Sequence, residues 1–194
     1  MTAKSPTVAI LAGINGAGKT TASREILQAL KIPIFVNADT IARGLNAFNV
    51  ESQAAKAGRI MLDHLHELAA QRQTFAFETT LSGRAYSTWL ASLRSSGYEV
   101  QLFYYWLESA DAAIARVAQR VKSGGHYVPD ETIRRRYRLS VRNFFQLYRP
   151  VVDHWRVYDN THGNAELLAF GIEDREQVLE MDRWLDFVRS AEDG

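Results

Sequence analysis

Short apolar runs alternate with helical patterns along most of the chain, which is typical of a mostly parallel sheet covered by helices. Six runs predict strands, at residues 7–12, 34–36, 74–77, 98–107, 155–158 and 167–170. The run at 98–107 is the longest, so we expect it to lie in the centre of the sheet.

The segments between these runs carry apolar residues at the spacing of a helix face. They predict helices over residues 19–30, 52–72, 84–96 and 109–122, a further helix from residue 129, and a closing helix over 174–189. Ser109 is the expected N-cap of its helix, because a serine hydroxyl accepts a hydrogen bond from an unpaired amide. The turn Ser123-Gly124-Gly125-His126 separates two of these helices.

Composition narrows the class of protein. The chain has 194 residues, 46% of them hydrophobic and 23% charged, which suits one compact domain spanning residues 1–194. It has no cysteine, so disulfides, cysteine metal sites and thiol catalysis are excluded. No apolar run has the length of a signal peptide or a membrane span, and we therefore expect a cytoplasmic protein.

Charge is unevenly distributed, although the net charge is only +1. Residues 116–149 contain nine basic and two acidic residues, whereas residues 159–194 contain ten acidic residues and three arginines. A local basic block in a nearly neutral chain favours a specific anionic ligand. The alternative is a solvated helix face balanced by the acidic C-terminal segment.

The most specific motif follows the first predicted strand. Residues 13–20, GINGAGKT, match G-x-x-x-x-G-K-[ST] at every fixed position. In such a loop the glycines let backbone amides face phosphate oxygens, the lysine reaches the β- and γ-phosphates, and the threonine hydroxyl binds Mg²⁺. The predicted ATP-binding residues are Gly13, Asn15, Gly16, Ala17, Gly18, Lys19, Thr20 and Thr21, with Thr20 as the Mg²⁺ ligand. The motif and the strand–helix alternation together predict an α/β fold, a P-loop NTPase three-layer sandwich with a small helical lid.

Asp39 follows the second predicted strand. Ligands of an open α/β sheet bind at the carboxyl ends of its strands, so we expect this carboxylate in the cleft near Lys19. It is the candidate general base for an acceptor hydroxyl. The alternative is structural, because Asp39 and Thr40 precede a helical pattern and Asp39 could be a helix N-cap.

Glu78 closes the third predicted strand and is followed by Thr79 and Thr80. Its carboxylate could bind sugar hydroxyls or magnesium-bound water, and the alternative is a surface residue where the strand meets solvent. The five histidines are not spaced as a metal site, since His64 and His66 are two residues apart on a helix and do not share a face.

An arginine-rich segment over residues 120–136 predicts a lid. Arg120 lies before a Gly-Gly break, and Arg134 to Arg136 lie after it. Small P-loop kinases close such a segment over ATP, and its arginines neutralise charge on the transferred phosphoryl group. The alternatives are an exposed amphipathic helix and a nucleic-acid surface. The isoelectric point near 8.0 and the acidic C-terminal segment make nucleic acid the less favoured partner.

Taken together, five ordered motifs resemble the zeta-toxin family, also known as UDP-N-acetylglucosamine kinases. The motifs are residues 13–20, 36–39, 77–84, 120–129 and 158–161, and the likeness runs from about Val8 to Phe170. This family transfers a phosphoryl group from ATP to the sugar 3′-hydroxyl of UDP-N-acetylglucosamine. The resemblance therefore implies a Mg²⁺-dependent kinase with a nucleotide sugar as acceptor and an antitoxin protein as partner.

The resemblance also implies roles for individual residues. Lys19 would hold the ATP phosphates, Asp39 would be the general base and Glu78 would hold the amino sugar. Arg120 and one of the three consecutive arginines, for which we take Arg134, would be the lid arginines.

The acceptor site would be completed by Thr79, Thr80 and Arg84. The threonines could pair with sugar hydroxyls, and Arg84 is a candidate partner for an acceptor diphosphate. The residues alone leave open a kinase for another small metabolite, an antibiotic or a polynucleotide end. They also leave open a non-catalytic ATP-binding module, although such a module would need no acceptor base like Asp39.

Overall fold

The computed structural model describes residues 5–173 and 175–192. Seven strands form a sheet in the order β2-β3-β1-β4-β5-β6-β7. The strands are β1 (Thr7–Gly13), β2 (Ile34–Val36), β3 (Phe75–Thr79), β4 (Glu99–Trp106), β5 (His154–Asp159), β6 (Glu166–Ile172) and β7 (Arg175–Val178). Strands β1 to β5 run parallel, whereas β6 and β7 add to the sheet in antiparallel pairs. The predicted α/β fold with a mostly parallel sheet is confirmed.

The centre of the sheet is formed by the two most apolar strands, β1 and β4. Every residue of β1 is buried, and only the first residue of β4 is partly exposed. Tyr104 and Trp106, on one face of β4, pack against Phe187 of the last helix. Phe103, on the opposite face, lies beside Ile26 of the first helix. Both faces of β4 are thus covered, as its apolar sequence requires.

Seven α-helices surround the sheet in the described part of the chain. They are α1 (Lys19–Leu30), α2 (Ala38–Leu45), α3 (Ala54–Ala70), α4 (Ala85–Ser95), α5 (Ala110–Lys122), α6 (Asp130–Asn143) and α7 (Met181–Glu192). A π-helical turn (Phe144–Tyr148) continues α6 and leads into a 3₁₀ turn (Arg149–Val151). Over residues 5–173 and 175–192, the helices are too short or too polar to span a bilayer.

One predicted element differs from the structure, and one helix was not predicted. The sequence predicts a closing helix over 174–189, but Arg175–Val178 is strand β7 and α7 begins only at Met181; residue 174 itself lies outside the described residues. Backbone pairing with β6 determines the conformation of this polar strand, and a search for apolar periodicity does not detect it. Helix α2 was not predicted as a separate element, because only Ala42 among its eight residues is buried.

Candidate active site

The loop at residues 13–20 joins β1 to α1 and has the backbone of an anion site. Gly16 and Gly18 both have a φ of 85°, a conformation that strongly favours glycine. A Cβ on Gly13 would lie 2.2 Å from the carbonyl oxygen of Tyr105, so the loop passes directly against β4. Gly18 caps α1 without a side-chain hydrogen bond, so no capping side chain covers the amides of Lys19 and Thr20, where a phosphate could bind.

Glu78 lies within β3 and contacts two residues of the loop. Its Oε1 is 3.4 Å from Lys19 Nζ, and its Oε2 accepts hydrogen bonds from the Thr20 hydroxyl at 2.8 Å and from Asn37 Nδ2 at 2.9 Å. Lys19, only 6% exposed, also donates to the carbonyl of Ile14. The sequence motif did not reveal this contact between Glu78 and the loop, because the two segments are 58 residues apart.

The Glu78 carboxylate and the Thr20 hydroxyl are oxygen ligands of the kind that Mg²⁺ prefers. Within residues 5–173 and 175–192 no three His, Cys, Asp or Glu side chains are grouped to hold a metal ion by themselves. This donor set fits a magnesium ion that takes its remaining ligands from phosphates and water, which is how Mg²⁺ is usually bound beside a nucleotide.

Asp39 is the second residue of α2. The N-cap of this helix is Asn37, whose side chain accepts a hydrogen bond from the Thr40 amide at 3.1 Å. The alternative interpretation of Asp39 as the N-cap is therefore wrong, because Asn37 already fills that position. Asp39 lines the cleft, and its negative charge opposes the lowering of the Arg136 pKa that burial and the neighbouring Arg135 cause.

Two adjoining cavities meet at this cleft. The first, which we name the donor cavity, has a volume of about 230 Å³ and is lined by the loop and α5, including Gly16, Gly18, Thr20, Thr21, Arg116 and Arg120. The second, which we name the acceptor cavity, has a volume of about 200 Å³ and extends between α2, α3 and the end of β3. Four residues line both cavities, and they are Asn15, Lys19, Asp39 and Glu78. Gly13 and Ala17 are buried and shape the loop without lining either cavity.

Among the three consecutive arginines, the one that faces the cleft is Arg136. Its Nη1 donates to Asn15 Oδ1 at 3.0 Å, and the side chain lines the acceptor cavity. Arg134, the residue selected from the sequence, lies half exposed and pairs with Asp111 of α5 at 2.5 Å. Successive helical residues differ by about 100° around the axis, so only one of the three can face the cleft.

Arg120 and Arg116 project from α5 into the donor cavity. Arg120 Nη2 donates to the carbonyl of His126 at 2.8 Å, which ties α5 to the turn before α6. A Cβ on Gly125 would lie 2.5 Å from Arg120 Cγ, so a glycine is needed for this turn to fold over the arginine. Sequence reasoning identified Arg120 but gave Arg116 no role beyond its charge.

The acceptor cavity contains Thr79 and Thr80 but not Arg84, which is exposed at the start of α4. Leu81, buried with a φ of 53°, turns the chain after these threonines.

The loop that begins at Leu81 is held in place by two buried side chains, Asn143 and Tyr148. Asn143 Nδ2 donates to the Leu81 carbonyl and the Tyr148 hydroxyl to the Gly83 carbonyl, both at 2.7 Å. Burial raises the pKa of Tyr148 to about 12. The sequence had no signal for either contact, because both residues lie on a helix 60 residues or more from the loop.

Comparison with known proteins identifies the family. The profile of a family described as AAA domain matches residues 8–139. An uncharacterized protein of Haemophilus influenzae is 32% identical over 125 residues, which are 64% of this chain and 88% of the relative.

Two solved structures share the fold at low sequence identity. The AvrRxo1-ORF1:AvrRxo1-ORF2 complex with ATP matches with a TM-score of 0.75 and 15% identity, over 94% of this chain and 63% of that one. A structure from the PezAT chromosomal toxin-antitoxin system of Streptococcus pneumoniae matches with a TM-score of 0.61 and 17% identity, over 85% of this chain and 72% of that one. The family match runs from β1 through the loop of residues 13–20 and α5 into α6, and the chain, which carries the P-loop sequence motif, therefore belongs to this AAA domain family.

Proposed function

We propose that this chain is an ATP-dependent phosphotransferase that moves the γ-phosphoryl group of ATP onto a hydroxyl of a small molecule. The proposal rests on one observation: the two cavities adjoin, and Lys19, Asp39 and Glu78 line both of them. A binding module needs one cavity, whereas group transfer needs a donor and an acceptor that meet at one point. The AvrRxo1 complex, which shares the fold, was solved with ATP.

The donor half is formed by residues 13–20. The amides at the start of α1 and the Lys19 ammonium bind the phosphates, and a Mg²⁺ ion would be held by Thr20 and Glu78. Bound magnesium would neutralise charge on the β- and γ-phosphates. We assign Glu78 to the magnesium ion rather than to the amino sugar that the family resemblance implies, because its carboxylate contacts Lys19 and Thr20.

The lid residues neutralise the transferred group. Arg136 takes the role that the sequence assigned to Arg134 and acts from the acceptor cavity, and Arg120 acts from the donor cavity. Both belong to the proposed lid at residues 120–136. Arginine charge placed where negative charge develops stabilises the transition state more than the ground state.

On the acceptor side, Asp39 orients the hydroxyl and accepts its proton as the phosphoryl group is transferred. Thr79 and Thr80 contribute hydroxyl groups that pair with neighbouring groups of a polar acceptor. UDP-N-acetylglucosamine is the first acceptor to test, because of the resemblance to the zeta-toxin family. An antitoxin partner and a cytoplasmic location, where ATP is available, belong to the same proposal, and the PezAT structure that shares the fold comes from a toxin-antitoxin system.

One observation favours a second kind of acceptor. Arg84 lies outside both cavities, so Lys19 and Arg136, which both serve the transferred phosphoryl group, are the lysine and arginine side chains that line the acceptor cavity among the described residues. An uncharged polyol or another small metabolite would need fewer cations there than a diphosphate.

The test is product formation from ATP and Mg²⁺ with UDP-N-acetylglucosamine and a panel of uncharged metabolites, read by mass spectrometry. We expect one acceptor to gain a phosphoryl group, and Lys19→Ala to lose ATP binding and transfer together. Glu78→Gln should raise the Mg²⁺ concentration needed for half-maximal rate while leaving acceptor affinity unchanged. ATP binding without transfer to any acceptor would overturn the proposal.

A further inference from the structure

The phosphate-binding loop is held from the C-terminal part of the chain. Asn160 Nδ2 donates to the carbonyl of Ala17 at 2.8 Å, and Asn160 is only 8% exposed. Its own amide donates to the carbonyl of Trp106 at 3.0 Å, which anchors Asn160 to β4. Because a carbonyl can only accept a hydrogen bond, the NH₂ group of Asn160 must face Ala17, and this fixes the orientation of the side chain.

This hydrogen bond determines where a loop amide points. In a trans peptide the carbonyl of Ala17 and the amide of Gly18 point in opposite directions, and the described chain has no cis peptide. A carbonyl held towards Asn160 therefore aims the Gly18 amide away from Asn160, and Gly18 lines the donor cavity. A Cβ on Gly18 would lie 2.4 Å from Asn160 Nδ2, so the asparagine occupies the space that only a glycine leaves free.

Asp159, the residue before Asn160, is held by several hydrogen bonds. Asp159, 6% exposed, accepts hydrogen bonds from the Thr161 amide and from Arg183 Nε, both at 2.8 Å. Burial alone would raise the pKa of Asp159, but these hydrogen bonds and the Arg183 charge outweigh it and keep the pKa below its ordinary value. Arg183 belongs to α7 and lies over the Trp106 ring, 5.1 Å from its centroid.

A second contact joins the same two segments. Arg116 donates from Nη1 to the Gly16 carbonyl at 3.4 Å and from Nη2 to the Thr161 carbonyl at 3.1 Å. The connection between β5 and β6 thus contacts Ala17 of the loop directly and Gly16 through Arg116.

We propose that Asn160 is a positioning residue for the phosphate-binding loop, held in place by Asp159 and Arg183. This inference rests on the proposed function, in which the loop binds ATP. It extends the donor site to residues outside 8–139, the part of the chain that matches the family. Asn160 acts through Ala17 and Gly18 by aiming the Gly18 amide at the phosphates.

The test compares Asn160→Ala with Ser140→Ala in the full chain. Ser140 is fully buried, its hydroxyl is bonded to Tyr104 at 2.8 Å, and it lines neither cavity. Each variant loses one buried hydrogen bond, so both should lower the midpoint of thermal unfolding. Only Asn160→Ala should weaken ATP-Mg²⁺ affinity, by about tenfold in calorimetry. Asn160→Asp, which keeps the shape but loses the donor, should weaken it at least as much.

A second readout needs no ligand. Amide hydrogen exchange of the peptide covering residues 13–20 should be faster in Asn160→Ala than in the parent and unchanged in Ser140→Ala. Unchanged exchange and affinity in Asn160→Ala, or equal losses in Ser140→Ala, would overturn the proposal. ATP bound but transferred to no acceptor would refute the proposed function alone, and a parent that binds no ATP would still leave the exchange comparison decisive.

Discussion

Asp39→Asn separates the catalytic from the structural role of this carboxylate. The substitution is nearly isosteric and removes one negative charge from the first turn of α2. A charge at that position stabilises a helix by about 0.3–1 kcal/mol, and the N-cap hydrogen bond of Asn37 is untouched. We therefore expect a stability loss of about 1 kcal/mol or less.

The catalytic loss should be much larger. Removing a general base lowers the rate by about 10²–10⁴, equivalent to about 2.7–5.5 kcal/mol of transition-state stabilisation. The assay is the rate of transfer at saturating ATP and acceptor, with thermal unfolding of the same samples. ATP affinity should change little, since the P-loop residues that bind phosphate are unaltered.

Asp111→Asn is the matched control. Asp111 is an acid in the first turn of α5, with a side chain that is 76% exposed and lines neither cavity. It should lose a similar amount of stability and retain the parent rate. If Asp39→Asn retains the parent rate as well, Asp39 is not the base and serves only the helix.

Three further predictions follow from other contacts. In steady-state kinetics, Arg136→Ala should lower the transfer rate by about 10²–10³-fold, whereas Arg134→Ala should leave it near the parent value. A large loss in Arg134→Ala and none in Arg136→Ala would favour Arg134, the residue selected from the sequence. Gly18→Ala should abolish ATP binding in calorimetry, because its Cβ would lie 2.4 Å from Asn160, and retained affinity would contradict the loop geometry. The folded-state pKa of Asp159 lies below its unfolded value, so its ionisation stabilises the fold above about pH 4 and this stability is lost on further acidification. Urea unfolding at several pH values should show a smaller acid-dependent loss of stability in Asp159→Asn than in the parent.

The sequence predicted the fold well because most of its signals are local. The P-loop motif fixed the start of α1, and the longest apolar run was indeed the central strand β4. The polar edge strand β7 and the short helix α2 were not predicted, because neither buries a periodic apolar face.

The candidate site was predicted less completely. Lys19, Asp39 and Glu78 could be placed in the cleft from the rule that ligands bind at strand ends. The choice between Arg134 and Arg136 depends on how α6 is rotated about its axis, which three identical residues cannot reveal. Asn143 and Asn160 act on loops that are 62 and 143 residues away in the chain, so only the folded structure brings these contacts together.

In the π-helical turn after α6, the spacing between Asn143 and Tyr148 matters more than the identity of the residues between them. Its i→i+5 pattern spaces Asn143 and Tyr148 so that both reach the loop after β3. Gln146, between them, is exposed and makes none of these contacts. Deleting it would leave Asn143 and the Tyr148 side chain four residues apart, a spacing that keeps both on one face only if the turn becomes α-helical. The segment should therefore tolerate many side chains at Gln146, whereas a deletion there requires the backbone of the turn to change.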